Sequence, residues 1–311
     1  MSGFALVFPG QGAQFAGMGK ALYREFGRAR EIFEEASDAT HLDLAALCFE
    51  DHADQLALTE FTQPCVLTAS LAAWRVLCQE TGLKPGIAAG HSLGEYSALA
   101  AAGVLTVGDA AQAVRLRGKW MQEAVPAGMG GMAAVMSTPR EVIEQACREA
   151  AQGQVVAPAN DNAPDQIVIS GHTEAVDRAI AALKAKGSRA KKLKVSGPFH
   201  TELMAPAAGQ MARLLSGLSF SPLAFPVIAN VDAEPYPGPE AVADRLVRQI
   251  TQPVKWRETV EAMDRRGIRI YLEAGPGNVL AGLIKRTAPS AVILPLLEPQ
   301  DIPAIAKAAP T

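Results

Sequence analysis

The sequence predicts an α/β protein, in which a large domain built on a parallel sheet carries a smaller inserted domain. Short apolar runs alternate with helical patterns along most of the chain, which is typical of α/β folds. The run Phe4–Phe8 is continuously apolar, as expected for a strand that a parallel sheet buries on both faces. From about residue 128 the order of predicted elements becomes β-α-β-β-α-β, which is the order of the ferredoxin-like unit.

The first part of the chain predicts two strands, each followed by helices. Phe4–Phe8 ends at Pro9-Gly10, and a Gly-rich turn separates it from the next helical pattern. Gly86–Gly90 is a second short strand, and small residues continue after it in a helical pattern. The predicted helices run through Leu22, Phe26 and Ile32, and over Pro64–Gln79, Leu93–Ala102 and Val107–Ala124.

Residues 128–196 predict the inserted ferredoxin-like domain, and residues 1–127 and 197–311 predict the large domain. Thr138-Pro139-Arg140-Glu141 has the spacing of a capping box, with proline at the first helical position of a helix to Ala151. Asn160–Pro164 predicts a turn, because Asn, Asp and Pro favour turns. The other elements are the strands Met132–Met136, Gln154–Ala159, Gln166–Ser170 and Arg189–Val195 and the helix Glu174–Lys186.

The last part of the chain returns to the large domain. Beyond Pro289 the sequence is rich in Pro and Ala, which predicts a peripheral tail. The predicted elements before it are the helix Leu203–Leu215, the strand Pro226–Ala229, the helices Glu240–Ile250 and Trp256–Arg266, the strand Arg269–Glu273 and the helix Gly277–Arg286.

Composition excludes several classes of function. The net charge of −3 gives no global basic field for nucleic acid or an anionic membrane, and no apolar run approaches the roughly 20 residues that span a bilayer. The four cysteines are scattered and form no C-x-x-C pair, which argues against a zinc or redox site. Buried free thiols in a reducing cytoplasm are therefore expected.

A serine lies in a candidate nucleophile turn. Gly90-His91-Ser92-Leu93-Gly94 fits G-x-S-x-G, after an apolar strand and before a helix. A tight strand-to-helix turn strains the Ser92 backbone and projects its hydroxyl, and the flanking glycines leave room for close packing. The N–H of Leu93 is then a natural donor to an oxyanion. The alternative is that Ser92 only caps the helix.

A serine nucleophile needs a base, and histidine is the usual one. Among five histidines, His200 is favoured because it follows Gly197-Pro198-Phe199, a loop at the start of a helix. Loops held by a rigid scaffold are where catalytic groups concentrate. The alternative is an ordinary surface histidine.

Four motifs occur in a characteristic order. They are Phe8-Pro9-Gly10-Gln11-Gly12-Ala13-Gln14, Gly90-His91-Ser92-Leu93-Gly94-Glu95-Tyr96, Gly197-Pro198-Phe199-His200 and Glu273-Ala274-Gly275-Pro276-Gly277. Together they resemble the malonyl-CoA:acyl carrier protein transacylases, the loading enzymes of type II fatty acid synthesis. The likeness extends from about Phe4 to Arg286.

The resemblance implies a fold and an activity. The fold is an α/β-hydrolase-like domain with an inserted ferredoxin-like domain, which agrees with the predicted elements. The activity is that of an [acyl-carrier-protein] S-malonyltransferase, which moves malonyl from malonyl-CoA to acyl carrier protein without a metal or another cofactor. A cytoplasmic monomer that binds neither nucleic acid nor membrane is expected.

The resemblance also implies the roles of the reacting groups. Ser92 is expected to be the nucleophile and His200 the general base, with the imidazole oriented by the backbone carbonyl of Gln249. The main-chain N–H groups of Gln11 and Leu93 are expected to form the oxyanion hole.

Arg117 is expected to bind the free carboxylate of the malonyl group. A guanidinium matches a carboxylate with two parallel hydrogen bonds and stays charged when it is desolvated. Without the resemblance, Arg117 would be interpreted as one more solvated helix residue. The resemblance further places Phe199, Asn160 and Met121 in the pocket.

Other functions remain open at this stage. An acyltransferase for a polyketide synthase or a malonate decarboxylase carrier would use the same chemistry. An acyl-thioester hydrolase would share Ser92 and His200 but has no use for Arg117, and a non-catalytic scaffold needs none of the three. A dinucleotide site after Phe4–Phe8 is disfavoured, because the bulky Phe15 stands where its third glycine is required.

Overall fold

The computed structural model describes residues 3–50, 52–195 and 197–308, so the chain ends and the predicted domain boundary at residue 196 lie outside the described residues. The strands are β1 (Phe4–Phe8), β2 (Ile87–Gly90), β3 (Gly130–Met136), β4 (Val156–Ala163), β5 (Gln166–His172), β6 (Arg189–Lys192), β7 (Val227–Ile228), β8 (Ile270–Ala274) and β9 (Val292–Leu296). The helices are α1 (Lys20–Glu25), α2 (Gly27–Thr40), α3 (Leu44–Glu50), α4 (Thr59–Thr81), α5 (Gly94–Ala101), α6 (Val107–Glu123), α7 (Arg140–Ala151), α8 (Thr173–Ala185), α9 (Ala205–Ser216), α10 (Val242–Thr251), α11 (Trp256–Arg265), α12 (Val279–Thr287) and α13 (Asp301–Ala308). Single 3-10 turns lie at His52–Ala57, Glu202–Met204 and Pro239–Ala241.

A five-stranded parallel sheet forms the centre of the larger part. Its order is β7-β2-β1-β8-β9, and every strand pair in it is parallel. All five residues of β1 are fully buried, because the strand lies mid-sheet with helices on both faces. The predicted α/β fold with a parallel sheet is therefore confirmed.

Residues of the predicted small domain form a separate four-stranded antiparallel sheet. Its order is β4-β5-β3-β6, and α7 and α8 pack against it around a core of their own. Val135, Ile143, Val176 and Leu183 belong to this core. The amphipathic pattern of α7 and α8 follows from this packing, since one face of each helix is buried and the other is solvated.

The predicted turn at Asn160–Pro164 is wrong for its first four residues, because β4 continues through Ala163, and only Pro164 of this segment lies in the turn to β5. Asn160 pairs with Val168 of β5, and it also forms a parallel bridge with Val254 of the larger part. The N–H of Asp161 donates to the Val254 carbonyl, and the N–H of Val254 donates to the Ala159 carbonyl. Turn-favouring residues adopt a strand here because partners from two directions satisfy their polar groups.

The predicted capping box at Thr138 is also wrong. The Thr138 hydroxyl donates to the Met136 carbonyl at 2.9 Å, and Pro139 precedes the helix, which begins at Arg140. The hydroxyl therefore stabilises the strand-to-helix connection and does not cap α7.

The predicted tail beyond Pro289 contains a strand and a helix. β9 pairs in parallel with β8 along its whole length, and α13 packs against it. Pro295 lies opposite Glu273 in this ladder. A proline lowers the strand signal of the sequence, yet β9 is an edge strand, where a missing N–H is tolerated.

No helix among the described residues combines the length and the apolar composition needed to cross a bilayer.

The turn from β2 to α5 brings main chains closer than side chains would allow. A Cβ atom on Gly90 would overlap the Gly94 carbonyl group and lie 2.6 Å from the Glu95 nitrogen. A Cβ atom on Gly94 would overlap the Phe8 carbonyl oxygen and lie 2.8 Å from that of Pro9. The predicted need for two glycines around Ser92 is confirmed, and its cause is the packing of the turn against the end of β1.

We expect Gly94→Ala to destabilise the protein, because the added methyl group must displace the end of β1. Overpacking of this kind costs about 1–3 kcal/mol in the free energy of unfolding, which urea denaturation measures. The matched control is Gly209→Ala in α9, where a Cβ atom meets nothing within 4 Å. Alanine there should be neutral or stabilise the helix by up to about 1 kcal/mol. Equal effects of the two variants would contradict the prediction.

Candidate active site

Ser92 lies directly after β2 with a left-handed backbone, at φ 53°. Its N–H donates to Asn230 Oδ1 at 2.7 Å, and its carbonyl accepts from Gln249 Nε2 at 2.9 Å. A non-glycine residue in this region is strained and persists only where its surroundings hold it. The two amide side chains hold both peptide groups of Ser92, so its hydroxyl projects at the end of the sheet.

His200 contacts the serine and is held from behind. The Ser92 Oγ to His200 Nε2 distance is 2.9 Å, and the His200 Nδ1 to Gln249 carbonyl distance is 2.8 Å. A carbonyl only accepts, so Nδ1 carries the proton and Nε2 is left to accept from the serine hydroxyl. His91 points elsewhere, with Nε2 2.8 Å from Asn162 Oδ1.

The environment keeps His200 neutral. Two effects lower the pKa of the imidazole to about 3. Burial is the larger, and the nearby positive charge of Arg117 is the second. Hydrogen bonds to backbone carbonyls oppose the shift but do not cancel it. A neutral imidazole can take a proton from Ser92, so the arrangement suits a general base.

Two residues beside Ser92 have main-chain N–H groups without a protein acceptor among the described residues. Gln11 and Leu93 both line the cavity beside the serine. Among the described residues, neither of these N–H groups donates to another protein group. Leu93 immediately precedes α5, so its N–H belongs to the positive end of the helix. Together they can donate to a developing oxyanion.

Arg117 is buried next to the serine. Its Nη1 donates to Gln63 Oε1 at 2.8 Å, and its Nη2 donates to Gln249 Oε1 at 2.8 Å and to Ser92 Oγ at 3.0 Å. Its Nε has no hydrogen-bond partner among the described residues. Burial lowers the pKa of the guanidinium, and the neighbouring Tyr96 and Glu95 side chains oppose that shift. An incompletely satisfied buried cation is suited to receive an anionic ligand.

These groups surround one cavity of about 190 Å³. Every predicted site residue lines it except Gln249, which lies behind Ser92 and His200. The lining comes from the segments that follow β1 and β2, from α6, from the antiparallel sheet, from the loop after β6 and from α12. It includes Gln11, Ser92, Leu93, Arg117, Met121, Asn160, Asn162, Val168, Phe199, His200, Val279 and Leu283.

The sequence analysis missed a buried polar group behind the serine. Glu95 is fully buried, and its carboxylate accepts from Tyr236 Oη, from Gln249 Nε2 at 2.7 Å and from the N–H of Asn230 at 3.1 Å. Burial raises its pKa to about 7, and these hydrogen bonds oppose that rise. The available signal was a lone acidic residue in the otherwise apolar and small α5.

No group of three or more His, Cys, Asp and Glu side chains is arranged to hold a metal ion within residues 3–50, 52–195 and 197–308. The absence of a cofactor stays a prediction.

Comparisons with known proteins place this arrangement in a family. Residues 5–307 match the acyl transferase domain. The chain is 48% identical to the malonyl CoA-acyl carrier protein transacylase of Salmonella typhimurium over 305 residues, which are 98% of this chain and 99% of the relative.

Solved structures are similar over the full length. The malonyl-CoA:acyl carrier protein transacylase of Xanthomonas oryzae is 47% identical with a TM-score of 0.97, and the match covers 100% of this chain and 99% of that one. A malonyl-transacylase in complex with a type II PKS acyl-carrier protein is 45% identical with a TM-score of 0.96, covering 99% of this chain and 100% of the other.

We expect His200 to remain unprotonated from pH 8 down to pH 5, since burial and Arg117 both disfavour its charged form. A free imidazole, with a pKa of about 6.5, is mostly protonated at pH 5. Histidine carbon NMR of the labelled protein measures the titration, with free histidine as the reference. Arg117→Ala should move the His200 pKa upward, because a nearby cation is removed. A wild-type midpoint near that of free histidine would contradict the prediction.

Proposed function

The chain belongs to the acyl transferase domain family, and we propose that it transfers malonyl groups from coenzyme A to the phosphopantetheine thiol of acyl carrier protein through a malonyl ester of Ser92. The observation that carries this proposal is the buried Arg117 guanidinium, 3.0 Å from the Ser92 hydroxyl oxygen. It supplies a cation where a short acyl group on that oxygen would end.

In the acylation step, Ser92 Oγ attacks the thioester carbonyl carbon of malonyl-CoA. The new C–O bond forms while His200 Nε2 takes the hydroxyl proton. The N–H groups of Gln11 and Leu93 donate hydrogen bonds to the carbonyl oxygen as negative charge develops on it. The C–S bond then breaks, and the coenzyme A sulfur leaves with the proton that His200 returns.

In the transfer step, the carrier thiol gives its proton to His200 Nε2 and its sulfur attacks the ester carbonyl. A C–S bond forms, the C–O bond to Ser92 breaks, and His200 returns the proton to Oγ. The same oxyanion donors serve both steps. At the start of each step the imidazole of His200 is neutral, because burial and the charge of Arg117 disfavour its protonated form.

Arg117 supports the choice of malonyl as the acyl group. A malonyl ester carries its free carboxylate one methylene beyond the carbonyl carbon, within reach of a guanidinium that touches Oγ. An acetyl ester leaves this buried cation without an anionic partner, which is costly. A generic hydrolase has no need of such a group, so the site favours the transferase over the hydrolase.

We also propose a fold type for each part of the chain and the bounds of the two domains. The strand order β6-β3-β5-β4 is that of a ferredoxin-like unit, and the Ser92 turn supports an α/β-hydrolase-like description of the larger part. We place residues 128–196 in the small domain and the remainder in the large one. A cytoplasmic monomer without a cofactor stays a prediction.

The names of similar proteins support a proposal for the carrier that receives the acyl group. A transacylase named for acyl carrier protein is 48% identical over 98% of this chain, and a solved malonyl-CoA:acyl carrier protein transacylase matches 100% of it. We therefore propose the carrier of type II fatty acid synthesis. A polyketide carrier is the second candidate, because a relative with 45% identity is described in complex with one.

Mass spectrometry of the intact protein tests the proposed reaction. Incubation with malonyl-CoA should add one malonyl group to the wild type and none to Ser92→Ala, since the ester needs Oγ. Addition of holo carrier protein should then remove the adduct and add the same mass to the carrier. Release of the adduct only as free malonate would support the hydrolase, and a Ser92→Ala protein that still loads would refute the serine intermediate.

We expect Arg117→Ala to lose malonyl transfer by about 10- to 100-fold more than acetyl transfer, the range of a hydrogen bond to a charged group. Stopped-flow or radiolabel measurement of loading from both thioesters gives the ratio. The matched control is Arg115→Ala on the same helix, whose guanidinium contacts Thr40 and Glu60 away from the cavity. It should leave the ratio of the two rates unchanged. Equal losses in Arg117→Ala would contradict the carboxylate-binding role.

A further inference from the structure

Glu95 is a fully buried carboxylate that the steps above do not use. It lies in the first turn of α5, three residues after the nucleophile. Its Oε1 accepts from the Tyr236 hydroxyl, and its Oε2 accepts from Gln249 Nε2 at 2.7 Å and from the Asn230 N–H at 3.1 Å. Every group named here donates, so an ionised carboxylate satisfies all three.

Two of these partners hold the strained serine. Asn230 accepts the Ser92 N–H through Oδ1, and Gln249 donates through Nε2 to the Ser92 carbonyl. The carboxylate of Glu95 therefore holds the side chain of Gln249 directly, and it holds the main chain of Asn230, whose side-chain Nδ2 donates to the Gly90 carbonyl at 2.8 Å. It does so without contact with the reacting atoms, from behind the turn.

The carboxylate also decides which way round the Gln249 amide lies. Gln249 Nε2 directs its hydrogens to Glu95 Oε2 and to the Ser92 carbonyl, and both of these groups accept only. The amide oxygen must then face the other side, where it accepts from Arg117 Nη2 at 2.8 Å. If the amide were turned over, its NH₂ group would face a guanidinium that also only donates.

The arrangement places one amide between a buried anion and a buried cation. A direct pair of Glu95 and Arg117 would occupy the planar fork of the guanidinium. With Gln249 between them, the negative charge of Glu95 still stabilises the cation. It opposes the lowering of the Arg117 pKa that burial causes. The guanidinium keeps its Nη2 beside the Ser92 hydroxyl oxygen, at 3.0 Å, where the cavity lies.

We propose that Glu95 is a positioning residue which, through the side-chain amide of Gln249, aims Arg117 at the free carboxylate of the acyl group and so sets the preference for a malonyl over an acetyl group. This inference rests on the proposed function, because it concerns the group that distinguishes the two acyl chains.

Glu95→Gln is the variant that tests the inference. Its side chain has nearly the same shape but carries no charge and one oxygen in place of two. It therefore weakens the hold on the Gln249 amide and removes the buried anion that counters the charge of Arg117. At pH 8, above the pKa of about 7 that burial gives Glu95, we expect the malonyl-to-acetyl ratio of kcat/KM to fall at least about tenfold, a change of about 1.4 kcal/mol. The loss should lie mainly in the KM for malonyl-CoA.

Tyr236→Phe is the matched control. It removes a hydrogen bond from the same carboxylate, at the oxygen that does not face Gln249. Both variants should lower the melting temperature, because each leaves a buried polar group without a partner. Only Glu95→Gln should change the malonyl-to-acetyl ratio. A ratio within twofold of wild type in Glu95→Gln, or an equal change in Tyr236→Phe, would overturn the inference.

If Glu95→Gln does not fold, side-chain amide NMR of the wild type decides the question. The Gln249 NH₂ protons should exchange slowly with solvent and should shift when Ser92 is loaded with malonyl but much less with acetyl. Fast exchange, or equal shifts for both acyl groups, would overturn the inference. Failure of the proposed function looks different, since the wild type would then not load malonyl at all.

Discussion

The close approach of the Ser92 turn to the end of β1 is the constraint on which the site depends. Gly94 lies against the carbonyl groups of Phe8 and Pro9, where no side chain fits. This contact places the start of α5 directly above the sheet and leaves the Leu93 N–H beside the serine. The strain of the left-handed Ser92 backbone is then carried by two hydrogen-bonded amide side chains. Ser92, the Leu93 N–H and the start of α5 are therefore one structural unit.

Charge balance is the second feature that unites the site. Arg117 is a buried cation close to a base that must stay neutral, and the same positive charge that can bind a carboxylate also lowers the pKa of His200. The charge of Arg117 thus helps to keep the imidazole of His200 unprotonated. The charge of Glu95 stabilises the Arg117 guanidinium without a direct ion pair, because the Gln249 amide lies between them. Burial makes each of these interactions stronger than it would be in water.

The cavity exists only because two sheets meet at it. The antiparallel sheet is joined to the larger part through the bridge of Asn160 and Val254, and the buried Asp161 carboxylate accepts from both Arg140 of α7 and Arg257 of α11. These contacts bring Asn160, Asn162 and Val168 opposite Ser92. The orientation of the small part is accordingly a determinant of the shape of the acyl pocket.

The sequence alone determined what depends on neighbours along the chain. The buried run of β1, the two glycines around Ser92 and the alternation of strands and helices follow from local spacing. The resemblance that the four motifs carry implied the roles proposed for His200, Arg117 and Gln249. Tertiary structure alone decided the rest. Asn160–Ala163 became a strand and Pro295 entered a sheet edge because distant segments satisfy them. Glu95 meets Asn230, Tyr236 and Gln249 across more than 130 residues of chain. No local periodicity encodes such contacts, because the energy of a buried polar group depends on partners that only the folded chain brings together.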